Sequence, residues 1–179
     1  GSMQYFSAVA YFFFFFLTGK LKVPVGLIFS AWGGTPAEAW IPEEVFKEDQ
    51  KLKSSAAIMK ETPWGPHRSS QAFNGMLAPL TQTKLAGVLW YQGEDNTANP
   101  ADYEAMFKAM ILGWRAKWNA NLPFYFVQIA PYNYGDGFAG VQVRDAQRRV
   151  RSETPETGMV VSSDIGDIDH AGRIQHLDA

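Results

Sequence analysis

Apolar residues in this chain fall into short unbroken runs closed by polar, glycine-rich turns, separated by longer stretches where apolar residues recur every three or four positions. The runs Val23 to Phe29, Gly87 to Tyr91, Pro123 to Ile129 and Gly158 to Ser162 predict four strands. Being apolar throughout rather than at alternate positions, they predict burial on both faces of a mostly parallel sheet. The longer stretches predict helices. Ala101 to Trp118 is the clearest, with Tyr103, Phe107, Met110, Ile111, Trp114 and Trp118 on one stripe, Asn99 as its cap and Pro100 in its first turn. Gly140 to Ser152 carries a weaker stripe of Val141, Val143, Ala146 and Val150 beside a basic one of Arg144, Arg148, Arg149 and Arg151. Pro42 to Lys60 reads as helical and Thr62 to Phe73 as a loop. Strands alternating with helices specify an α/β class, a three-layer α/β/α sandwich.

The first apolar stretch, Tyr5 to Leu17, contains the five phenylalanines Phe12 to Phe16. It is shorter than the roughly 20 residues a bilayer needs, and it lacks the basic start and small-residue cleavage site of a signal peptide. It therefore reads as a helix, and with no polar face that helix must be covered nearly all round.

Composition narrows the picture. At 46% hydrophobic and 19% charged residues the chain folds, and 179 residues are the size of one domain. Gly1 and Ser2 ahead of Met3 read as an expression scar, which leaves 4–179 as a single domain. Sixteen basic against eighteen acidic residues give a net charge of −2, without the basic footprint of a nucleic-acid binder. With no cysteine there is no disulfide framework, thiolate nucleophile or cysteine zinc site.

In a parallel α/β sheet the chemistry sits beyond the carboxyl ends of the strands. Four loops lie there, one of them Ala130-Pro131-Tyr132-Asn133-Tyr134-Gly135. Trp32-Gly33-Gly34-Thr35 lets backbone approach a ligand and aim an amide at an oxyanion. Trp90-Tyr91-Gln92-Gly93-Glu94-Asp95-Asn96 gathers two amides and two carboxylates, with Gln92 or Asn96 as donors. Asp167-Ile168-Asp169-His170 places an acid three residues before a histidine, so that a carboxylate can fix the imidazole tautomer and free the other nitrogen as a base. Asp164, Asp167, Asp169 and His170 also present metal-type ligands, but metal sites usually draw on more than one segment, and no metal is expected. His67, in a Pro- and Ser-rich loop, and His176, in the tail, lack such a setting.

Val25-Gly26-Leu27-Ile28 leading into Trp32-Gly33-Gly34-Thr35, then Asn74-Gly75-Met76-Leu77-Ala78-Pro79-Leu80, then Trp90 to Asn96, then Asp164-Ile165-Gly166-Asp167, together resemble the sialate O-acetylesterase family, a branch of the SGNH hydrolases. The resemblance covers about residues 5 to 170. It implies a flavodoxin-like sandwich that removes acetyl esters from sugars through a serine nucleophile, a histidine base oriented by aspartate, and an oxyanion hole, with no cofactor. By position, Gly34, with Gly33 as the alternative, supplies an oxyanion amide. Gln92 and Asn96 are the further donors, and Asp167 and His170 the acid and base. Trp32, Glu94 and Tyr132 are assigned to substrate binding. The family is often exported, which implies an extracellular or periplasmic setting.

Two departures stand out. The family's Gly-Gln-Ser-Asn-Met block, which bears the nucleophile near the end of the first strand, has no counterpart in these residues, and Ser30, Ser162 and Ser163 lack a suitable setting. The family's Ile-His-Pro element and terminal helix are replaced by Asp169-His170-Ala171-Gly172-Arg173. The expectation is a domain lacking its first strand and last helix, which self-associates or takes up a complementary segment because an open edge and face invite pairing. The rival expectation is an inactive glycan-binding module using Trp32, Trp90, Tyr132 and Tyr134 as stacking surfaces, or an interaction domain on the same fold.

Overall fold

The computed structural model describes residues 7–135 and 137–164. The chain divides into two units, Gly1–Ala31 with Leu177–Ala179, and Trp32–His176.

In the first unit, helix α1 spans Ala8–Leu21. Ser7 caps it by accepting the Ala10 amide, and Lys22 closes it in the left-handed conformation, φ 58°. Among the described residues of this unit the expected cover is not there: Phe12, Phe15 and Phe16 are 58%, 60% and 63% exposed. Apolar residues point to every side of this helix, and the other described residues of its unit form only an open segment that cannot enclose it. The predicted strand at 23–29 is also absent; those residues carry no strand, and Val23, Ile28 and Phe29 are exposed. Apolar, β-branched composition favours a strand only where a neighbour supplies the ladder, and the sheet does not extend to this segment.

The second unit holds the sheet and its helices. A single 3₁₀ turn over Ala37–Trp40 leads to α2 (Glu43–Glu48) and α3 (Gln50–Ala56). The one helix expected from 42 to 60 is thus two, broken at Asp49, which leaves helical φ/ψ and accepts the Lys51 and Leu52 amides as the cap of α3. Strands β1 (Val88–Tyr91), β2 (Phe124–Val127) and β3 (Thr157–Val160) form a parallel sheet in the order β1-β2-β3. Val88 pairs with Phe124, and Phe124 with Thr157. Helix α4 (Tyr103–Trp118) links β1 to β2, and α5 (Ala139–Glu153) links β2 to β3. The α/β class with a parallel sheet is what the runs and stripes predict.

The core lies between one sheet face and these helices. Tyr103, Met106, Phe107, Met110, Ile111 and Trp114 of α4 are buried at three- and four-residue steps. The Phe107 ring stands 4.9 Å from Phe126 and 6.0 Å from Phe124, both edge-on, and Trp90 stacks on it at 6.5 Å. Burial along β1 and β2 alternates: Val88, Trp90, Phe124 and Phe126 are enclosed, while Leu89 and Tyr125 are 41% and 53% exposed. The expectation of strands buried on both faces therefore gives way to one enclosed face among the described residues.

Two local readings change as well. Asn99 does not cap α4, which starts after Asp102; its amide donates to Ser55 Oγ (3.0 Å), and Asp102 accepts from the same hydroxyl (2.6 Å), so both residues hold α3 instead. On α5 Val141 is 61% exposed, and Gln147 joins Val143, Ala146 and Val150 in the buried stripe.

Candidate functional site

The glycine turn and the loop after β1 meet through a lattice of buried amides. Gln92, 8% exposed, donates both hydrogens of Nε2, one to the Thr35 carbonyl (3.1 Å) and one to Asn96 Oδ1 (2.6 Å). Asn96 is fully buried; its Oδ1 also accepts the Ala37 amide (2.8 Å) and its Nδ2 donates to Glu38 Oε2 (2.8 Å). The bonds to Thr35, Ala37 and Glu38 cross 57 to 59 residues of sequence and fix the two loops to each other. Thr35 completes the turn: its hydroxyl donates to the Trp32 carbonyl (2.7 Å) and accepts from Trp40 Nε1 (2.9 Å).

Gly34 lies in this turn with φ +65°, a conformation that favours glycine. A Cβ there would stand 2.7 Å from Trp64 Cη2. Gly93, φ +148°, is likewise enclosed, since a Cβ would meet Ile129 Cγ2 at 2.8 Å. The loop after β1 therefore presses its backbone onto the loop after β2.

Behind Gln92 the lattice continues into the helices. Tyr103 Oη lies 3.2 Å from the Gln92 carbonyl and 3.3 Å from its Oε1. Gln147 Nε2 donates to the same carbonyl (3.0 Å), and its Oε1 accepts the Ile129 amide (3.0 Å). One turn earlier on α5, Arg144 donates to the Ile129 carbonyl (2.6 Å) and to Ser163 Oγ. Three loops that follow strands are thus tied together at one end of the sheet, where α/β folds place their ligands.

Electrostatics sets two acids apart. Burial pushes the Glu38 carboxyl above the usual carboxylate range, against the Asn96 hydrogen bond that lowers it; the nearby Asp95 and Asp102 add to the rise. Glu38 is 1% exposed, and Oε1 accepts nothing from another residue among those described. Asp95 is also raised by burial, opposed by His67. His67, 5% exposed, directs Nε2 at Asp95 Oδ2 across 3.5 Å while Nδ1 lies 2.8 Å from Thr62 Oγ1. Burial raises Tyr103 and Tyr134, with Glu94 contributing to both.

The predicted residues divide accordingly. Gly34, Gln92 and Asn96 belong to one joined pair of loops, and Glu94 sits on the same loop. Trp32 and Tyr132 present half-exposed rings, 49% and 48%. Trp90 does not: it is 9% exposed, edge-on to Trp40 at 5.9 Å and to Trp114 at 5.7 Å, and belongs to the core because its position on β1 faces α4. Tyr134 is partly buried, packs against Tyr132 at 5.3 Å and donates to the Ala130 carbonyl (3.2 Å). Asp167, Asp169, His170 and His176 lie outside the described residues. Among the described residues no group of three or more acids, histidines or cysteines could hold a metal, and no helix is long and apolar enough to cross a membrane.

Glu38, Trp64, His67 and Gln147 are the residues the sequence reading passed over or set aside. Distant segments complete their setting, Asn96 for Glu38, Gly34 for Trp64, Asp95 for His67 and Gln92 for Gln147, and the one local signal was the three- and four-residue spacing that puts Gln147 in line with Val143 and Val150.

A family model described as carbohydrate esterase, sialic acid-specific acetylesterase, matches residues 6–179. The chain is similar to the sialate O-acetylesterase of Rattus norvegicus, 32% identical over 211 residues that cover 94% of this chain and 39% of that protein. It is 34% identical to the sialate O-acetylesterase of Homo sapiens over 185 residues, 94% of this chain and 35% of that protein. The chain thus spans less than two fifths of the length of these relatives. With its parallel α/β sheet, its joined glycine and Gln-Gly-Glu loops and this match along nearly its whole length, the chain belongs to the sialic acid-specific acetylesterase family of carbohydrate esterases.

Proposed function

We propose that this chain forms the sugar-ester site of a carbohydrate O-acetylesterase acting on acetylated sialic acid or a related glycan. The observation that carries the reading is the bond from Gln92 to the Thr35 carbonyl and Asn96, which holds the Gly34 turn beside the Gln92 to Asn96 loop. In this reading the Gly34 amide faces the oxygen that becomes negative when an acetyl carbonyl is attacked. Gln92 and Asn96, whose amide hydrogens are held by Thr35, Asn96 and Glu38, act as positioning residues rather than as donors to that oxygen, and their buried hydrogen bonds keep the turn rigid as charge develops. Asp167 orients His170, which takes the proton of the attacking serine. An acetyl-enzyme forms as the sugar hydroxyl leaves, and water then releases acetate. The serine is assigned to a Gly-Gln-Ser-Asn-Met block, which is not among the 179 residues. Trp32, Glu94 and Tyr132 contact the sugar.

A glycan-binding domain without turnover is the second reading, favoured by the half-exposed rings of Trp32 and Tyr132 at the same end of the sheet. Calorimetric titration with an O-acetylated sialic acid and its deacetylated form, with acetate release followed in the same samples, tests the proposal. The acetylated sugar binds more tightly if the site is built for the ester, and equal affinity for the two forms contradicts it. Because the serine is not among these residues, turnover is read with the serine-bearing segment supplied: acetate release abolished there in His170→Ala supports the esterase role of His170, and saturable binding without release even then favours the second reading.

A further inference from the structure

Two indoles cross between the glycine turn and the loop that carries His67. Trp64 lies over Gly34, where a Cβ would meet its Cη2 and Cζ3 at 2.7 and 2.9 Å; Trp32 lies over Gly65, where a Cβ would meet its Nε1 at 3.1 Å. Each tryptophan rests on the backbone of the other's loop, at a residue without a side chain to hold it off. Even so, Trp64 keeps 57% of its surface exposed.

That exposed ring stands on a rigid mount. His67 packs edge-on against it, with centroids 5.1 Å apart and planes at 83°. The imidazole is held through Nδ1, whereas Nε2 and the Asp95 Oδ2 it faces make no hydrogen bond among the described residues. Nδ1 lies 2.8 Å from Thr62 Oγ1 and 3.3 Å from the Gly65 carbonyl, and Nε2 faces Asp95 Oδ2 at 3.5 Å. Since Asp95 belongs to the Gln92 to Asn96 loop, that loop faces the imidazole that packs against the indole over Gly34. A large apolar ring left open to water but held in one position suits a flat apolar ligand surface, because little side-chain freedom remains to be lost on binding.

We propose that the open face of Trp64 is the surface on which the pyranose ring of the acetylated sugar stacks, and that His67 is its positioning residue. The proposal rests on the reading of the site as a sugar O-acetylesterase. Its edge over Gly34 distinguishes Trp64 from Tyr132: a sugar stacked there holds its acetyl group beside the proposed oxyanion amide. The C–H face of the pyranose meets the negative face of the indole.

The chain carries six tryptophans. Incorporating 5-fluorotryptophan and assigning the Trp64 resonance through Trp64→Phe gives a direct reporter for titration with an O-acetylated sialic acid. The Trp64 resonance shifts with the same saturation curve as the calorimetric binding. Trp64→Ala weakens binding about three- to tenfold, and Trp64→Phe restores most of it. In His67→Gln the Trp64 resonance moves before any sugar is added, the resonance of core Trp114 stays in place, and affinity falls. A Trp64 signal that stays still while the sugar binds overturns the stacking assignment and leaves the esterase reading standing; this observation on the unsubstituted chain does not depend on how Trp64→Ala folds. An unmoved Trp64 signal in His67→Gln overturns the positioning role. Absence of any saturable sugar binding removes the esterase reading, and this proposal with it.

Discussion

Glu38 shows how a single buried residue couples the site to pH. Its folded pKa lies above the usual 4.5 because burial disfavours the charge, so its contribution to stability is present in full below that value and is lost as pH rises through the folded pKa. Asp95, raised for the same reason, acts in the same direction. Glu38→Gln keeps an acceptor for Asn96 and removes the charge. We expect thermal unfolding from about pH 5 to about pH 8 to show a smaller fall in midpoint for this variant than for the unsubstituted chain, with the gain confined to the higher pH. Gly34→Ala tests the turn. It forces a side chain into φ +65° and into the Trp64 ring, and should cost about 1–2 kcal/mol in urea unfolding together with a change in tryptophan emission. The glycine turn was legible from sequence, but the settings of Glu38 and His67 were not. Glu38 reads as an acid between alanines and His67 as a loop histidine, until residues more than fifty positions away from Glu38, and the Asp95 loop near His67, bury them and supply their neighbours.

The elements divide by whether their determinants are local. Helix α4 was legible because six of its apolar residues form one stripe, and its stability follows from the same stripe: Phe107→Ala removes a ring packed against Trp90, Phe124 and Phe126 and should cost about 3–5 kcal/mol by urea unfolding. The β1, β2 and β3 runs were legible as short apolar stretches closed by turns, though not the alternating burial of β1 and β2. The run at 23–29 has equal strand character, but pairing decides the outcome and pairing is not local. The phenylalanine run is the reverse case. Its helix was legible, whereas its cover depends on what surrounds it. The exposed Phe12, Phe15 and Phe16 make association with a second copy the expected behaviour, read as a sedimentation coefficient that rises with concentration. Replacing these three by serine should remove that dependence.

At the scale of the whole molecule, the sheet, α4 and α5 bring together loops that the sequence keeps far apart. Gln147 on α5, Tyr103 on α4 and Gln92 after β1 share one carbonyl, so the loops cannot shift independently without breaking buried hydrogen bonds. Family membership was legible through the spaced blocks Trp32 to Thr35 and Trp90 to Asn96, because each of these loops keeps its chemistry in a few consecutive residues. The joining of those blocks was not, since it runs through side-chain amides whose partners only the fold selects. Amide NMR during titration with an O-acetylated sialic acid tests the central claim most directly. The account predicts that the backbone amide of Gly34 and the side-chain amides of Gln92 and Asn96 shift together along one saturation curve, with the deacetylated sugar producing smaller changes. Shifts confined to other parts of the chain, with these three groups unmoved while the sugar binds, would contradict it.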